Sequence, residues 1–101
     1  MKRTHRHRST RLHAAKPHAG SAYTVSLTFG RVPVATSALA VRCRARLAGA
    51  HLRGRGEIAG HVATCTWQIP EKARGERLHA RVKISGRHGV SLVRSARLIV
   101  T

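Results

Sequence analysis

Apolar and polar residues alternate along most of this chain from residue 22 onward. Tyr23, Val25, Leu27 and Phe29 are separated by Thr24, Ser26 and Thr28, the period-two pattern of a strand with one buried face. Gly30 and Pro33 then interrupt the pattern. A second run sets Leu39, Val41, Cys43, Ala45 and Leu47 against Ala40, Arg42, Arg44 and Arg46. A third sets Ala63, Cys65, Trp67 and Ile69 against Thr64, Thr66 and Gln68, and stops at Pro70. Residues 71–76 read as a turn or a single helical turn. Leu78, Ala80, Val82 and Ile84 then alternate with Arg77, His79, Arg81, Lys83 and Ser85. Gly86 and Gly89 bracket a tight turn, and Val90, Leu92, Ala96, Leu98 and Val100 share one face of a last strand. Arg94 falls on that apolar face, so the pattern predicts a bulge near Val93–Ser95. Gly49, Gly54, Gly56 and Gly60 surround a short Ala50–Arg53 segment, and the stretch GAHLRGRG reads as a hairpin connection with positions of positive φ.

No window sustains the i, i+3, i+4, i+7 apolar spacing of a capped amphipathic helix, and no internal repeat is visible. Short strands divided by turn signals predict an all-β fold over residues 22–101, a sandwich or small barrel of about six to eight antiparallel strands. Residues 1–21 are different. They carry six Lys+Arg, four His and no acid, and no apolar face can be drawn on them, so they are expected to form a disordered basic arm. The arm begins like the cationic part of a signal peptide, but no apolar h-region follows. The expectation is either an intracellular chain or a fragment, or misassigned start, of a longer exported protein.

Composition narrows the function classes. A chain of 101 residues holds one domain, and its 42% hydrophobic content is that of a globular protein. Only Tyr23, Phe29 and Trp67 are aromatic, so the core is expected to be mostly aliphatic, with Trp67 as its largest member and its N–H in need of an acceptor. No apolar run approaches the length of a membrane-spanning helix. The chain has no Asp, and its only carboxylates are Glu57, Glu71 and Glu76. A Ser-His-Asp triad is therefore excluded, and no G-x-S-x-G or phosphate-binding glycine loop is present. The His residues are scattered. No catalytic residue, no cofactor and no dedicated metal site is expected.

Cys43 and Cys65 both lie on the apolar faces of their strands. Facing strands could bring them to disulfide distance, or they could stay reduced as small core hydrophobes. With His51 and His61 they could be written as a zinc quartet, although no Cys-x-x-Cys spacing supports one.

The run VRCRARLAG (41–49), followed by ATCTWQIPEKARGERLHARVKI (63–84), Gly86, Gly89 and a closing apolar strand, resembles a bacterial Ig-like domain. It is similar to the disulfide-bearing modules of secreted and surface proteins of high-GC actinobacteria. Cys43, Cys65, Trp67, Pro70, Ala73 and Gly75 carry the likeness, which covers about Ala22 to Thr101. The resemblance implies an Ig-like β-sandwich with a Cys43–Cys65 bridge, an extracellular or cell-surface home, and a structural spacer or adhesion role beside other domains of a longer protein. A monomer is expected.

Charge supplies the remaining signal. Twenty Lys+Arg against three acids give +17 at pH 7. Arg42, Arg44 and Arg46 share the outer face of one expected strand, and Arg77, His79, Arg81 and Lys83 that of another. This is the footprint of weak, non-specific polyanion binding. Because all three aromatics fall on core faces, no base-stacking platform is expected. A solvated Arg-rich surface from a GC-rich genome would have the same composition. The alternative to the module is a small basic nucleic-acid-binding, ribosome-associated protein in the cytoplasm.

Overall fold

The computed structural model describes residues 10–30, 38–87, 89 and 91–101. Seven strands account for most of them: β1 (Arg11–Ala14), β2 (Ala22–Thr28), β3 (Ala40–Leu47), β4 (Ala50–Ala59), β5 (Val62–Gln68), β6 (Arg77–Ser85) and β7 (Ser91–Ile99), with a 3-10 turn at Glu71–Ala73. All pair antiparallel, in the order β1-β2-β5-β4-β3-β6-β7. The all-β expectation holds. No helix is long and apolar enough to cross a membrane among the described residues.

The sheet folds back on itself at β4. Ala50–Arg53 pair with β3, whereas Gly54–Ala59 pair with β5. Two half-sheets result, β1-β2-β5 with the end of β4, and β3-β6-β7 with its start. The inward positions of each alternation meet between them. Val25, Leu27, Ala63, Cys65, Trp67 and Ile69 come from one side and Ala45, Leu78, Ala80, Val82 and Ile84 from the other, all buried. No polar or charged side chain is buried among the described residues, so the side chains that fill the core contribute through apolar burial.

Three expectations need correction. First, the basic arm does not extend to residue 21. Arg11–Ala14 form β1 against Val25–Thr28, and Pro17 is fully buried. The Ala19 amide donates to the Thr101 carbonyl (3.0 Å) and the Thr101 amide to the Pro17 carbonyl (2.9 Å). The chain thus runs along the edge of one half-sheet, meets the end of the other at Pro17–Ala19 and turns at Ala19–Gly20, which nearly closes the barrel. Leu12, Ala14 and Ala19 pack on the core, too few and too irregularly spaced to show as a period. Residues 1–9 lie outside the described residues. Second, the glycine-rich stretch GAHLRGRG supplies a hairpin turn with positive φ only at Gly49, and from Ala50 onward it is strand β4. Third, β7 has no bulge, because Arg77↔Ile99 through Ser85↔Ser91 pair without a skipped residue. Arg94 does share the inward face, but β7 is an edge strand, and the side chain stays exposed and donates from Nη1 to the Val93 carbonyl at 2.8 Å.

Ala48 and Gly49 join β3 to β4 in a two-residue turn, with φ of 51° and 85°. Positive φ at both positions is the type I′ geometry, in which Asn-Gly is the favoured pair. Ala48 is strained there because its Cβ crowds its own backbone in the left-handed region. Ala48→Asn is expected to raise the unfolding free energy by about 0.5–1 kcal/mol in urea titration.

Candidate functional site

The Cys43–Cys65 disulfide joins β3 to β5 across the core, with Cα atoms 5.6 Å apart. Of the readings open to the sequence, the bridge is the one adopted. No free cysteine is left, so the zinc quartet with His51 and His61 is excluded. Among the described residues no group of His, Cys, Asp or Glu could hold a metal ion. His61 has a local role instead. Its ring lies 5.5 Å from that of Phe29, and Nδ1 donates to the Gly30 carbonyl at 3.2 Å.

The glycines of β4 make room for this arrangement. Gly56 stands opposite Cys65 and Gly54 opposite Trp67. A Cβ on Gly56 would lie 2.6 Å from Cys43 Sγ and 2.9 Å from Val41 Cγ1, and one on Gly54 would strike the Trp67 indole. Neither glycine has a positive φ. They are needed for close approach, not for turning, and in a sequence the two uses of glycine look alike. Trp67 lies over Gly54, 6.5 Å from the Tyr23 ring, and its buried Nε1 has no hydrogen-bond partner. Among the described residues the acceptor expected for it is not found. Tyr23 does better. Its hydroxyl donates to the Ala15 carbonyl at 2.6 Å, and burial raises its pKa above the ordinary phenol value.

The charged residues gather on one surface. Pairing places Arg42 opposite Lys83, Arg44 opposite both Arg81 and Arg53, and Arg46 opposite His79 and His51. His79 in turn faces Arg97, and Arg77 faces Ile99. All point outward from the β3-β6-β7 half-sheet, and β3, β6 and β7 contain no acidic residue. Arg42, Arg44, Arg46, Arg77, Arg81 and Lys83 therefore do share a face, and the structure adds Arg53 and Arg97. Their signal is the strand register, which the sequence leaves open. The outer face of the other half-sheet is mostly neutral: Thr24, Ser26, Thr28, Thr64, Thr66 and Gln68, with Arg11, Arg55 and Glu57 among them. Glu57, Glu71 and Glu76 are all exposed.

Several hollows lie on the cationic face, among them one of about 270 Å³ lined by Arg44, Arg46, His51, His79 and Arg81. Another of about 230 Å³ is lined by Arg42, Arg44, Arg81, Lys83 and Val93. A broader one of about 680 Å³ includes Arg46, Arg77, Arg97 and Ile99. Val93 and Ile99 are also the large apolar side chains left exposed among the described residues.

No protein-family model matches the sequence, and no curated protein sequence does either. Among solved structures the chain is similar to part of a cycloalternan-forming enzyme from Listeria monocytogenes, in complex with a pentasaccharide substrate. The TM-score is 0.58 at 14% identity, over 91% of this chain and 9% of that one. At this identity the likeness concerns the fold alone. The chain corresponds in extent to a small β-rich portion of a much larger enzyme.

Proposed function

We propose that this chain is a non-catalytic Ig-like module, a structural spacer or interaction unit of an exported or cell-surface protein. The observation that carries the reading is the disulfide set into the core, since such bridges persist in non-reducing compartments and serve small domains with limited cores. Strand order supports the Ig-like assignment. First, second, fifth and fourth strands on one half, with third, sixth and seventh on the other, is the order of immunoglobulin constant-type sandwiches. The bridge departs from that type. Here it joins the third and fifth strands, where antibody domains join the second and sixth. The exposure of all three carboxylates adds support for a non-catalytic role, because exposed acids lack the burial that tunes a catalytic pair.

The alternative, a small basic nucleic-acid-binding protein, draws on the cationic face. Against it, Tyr23, Phe29 and Trp67 are all buried, which leaves no aromatic to stack on a base. Fractionation of producing cells with thiol alkylation separates the two. The module reading expects the protein in the exported fraction with no alkylatable cysteine. Recovery from the cytosol with both thiols free would overturn it.

A further inference from the structure

The cationic face is costly to the free protein. Residues directly opposite on neighbouring antiparallel strands have Cβ atoms about 4.5–5.5 Å apart, and like charges there are destabilising. Arg42↔Lys83 and Arg44↔Arg81 are two such pairs in adjacent rows, about 6.6 Å apart along the strand. Composition bias does not account for them. A genome that favours arginine would load both outer faces, yet the opposite half-sheet is largely Thr and Ser. The four cations surround a hollow of about 230 Å³ with Val93 at its side, a setting in which an anion would relieve the repulsion between both pairs at once.

We infer that the outer face of β3, β6 and β7 is the docking surface for a linear phosphodiester polymer of the cell surface, with one phosphate group seated in the cup formed by Arg42, Arg44, Arg81 and Lys83. This rests on the module reading for the choice of a surface polymer over nucleic acid. The face itself agrees with that choice, because it offers guanidinium groups to phosphate oxygens and no Tyr, Phe or Trp ring to a base. A polymer without bases forfeits nothing there.

The test uses purified oxidised protein and poly(glycerol phosphate), titrated across salt. Arg44→Gln with Arg81→Gln should weaken binding about tenfold and make the log–log salt slope shallower by about 0.7, the value for the one phosphate no longer neutralised. Arg11→Gln with Arg55→Gln removes the same charge from the other half-sheet, and should change affinity less than twofold. The cup variant should also melt no lower than the parent when no polymer is present. Amide shifts in the unsubstituted protein, expected on β3 and β6 and not on β2 and β5, provide a reading that needs no variant. Equal losses from both double variants would reduce the effect to net charge and overturn the inference. So would oligo(dT) binding tenfold more tightly than poly(glycerol phosphate). Binding is read on purified protein and location on cells, so failure of one reading does not mask the other.

Discussion

Reducing the Cys43–Cys65 bridge is expected to lower the unfolding free energy by about 3 kcal/mol, the chain-entropy value for a loop of this length. For a domain of this size that corresponds to a melting temperature lower by roughly 12–24 °C. The bridge matters so much because the core around it is thin. Ala45, Ala63, Ala73 and Ala80 occupy buried positions, where larger residues would bury more area. Opposite Cys65 stands Gly56, with no side chain at all. Replacing both cysteines by alanine adds a second loss, since the Cys43 sulfur sits in the space that Gly56 leaves open and the Cys65 sulfur is buried in the core. The double Cys43→Ala, Cys65→Ala variant should therefore be less stable than the reduced parent. Urea titrations of the oxidised, reduced and substituted forms check this order. A fall of only a few degrees on reduction would show that the half-sheets hold together without a covalent tie.

The residues that make the fold legible are those with clean alternation. In β2, β3, β5 and β6 every second residue is apolar and buries against the other half-sheet, so hydrophobic period and strand coincide. The cysteines can be placed on the inward face by the same count, but their partnership cannot. Alternation fixes the side of a strand on which a residue lies, not the strand it faces. Where the pattern fails, something other than side-chain burial decides the structure. β4 is held by pairing on both edges and by the absence of side chains at Gly54 and Gly56, which in a sequence looks the same as a turn. Arg94 looks like a break because an edge strand can carry a cation on its inward face and turn it to solvent. The cationic face is half visible. Arg42, Arg44 and Arg46 share a side by strand period, as do Arg81 and Lys83. That these sides are one side follows only from the antiparallel register of β3 on β6. Arg53 and Arg97 are added only by the registers of β4 on β3 and of β7 on β6.

Removing residues 10–21 from a chain that begins at residue 10 is expected to cost about 3 kcal/mol or more. A disordered arm could be deleted without consequence, but this segment is part of the wall. Its loss exposes Leu12, Ala14, Pro17 and Ala19 and uncovers the core beneath them, and burial of even part of a Leu and a Pro is worth about 1–3 kcal/mol. It also strips β2 of its outer neighbour and leaves a seven-residue edge open to association. At the far end, Thr101 loses the Pro17 carbonyl and the Ala19 amide, so the closing contact between the two half-sheets goes as well. A pH scan distinguishes this account from a general loss of packing. Tyr23 is more basic in the folded chain than in the unfolded one, because burial disfavours its phenolate. The unfolded chain therefore releases this proton first. The Tyr23 contribution is fully present below about pH 10 and is lost as pH rises through the folded pKa. Without Ala15 to accept from the hydroxyl, and without the segment that covers the ring, that alkaline decline should shrink in the truncated chain. A truncated protein that melts within a few degrees of its parent, with the same alkaline decline, would show that residues 10–21 rest on the domain without supporting it.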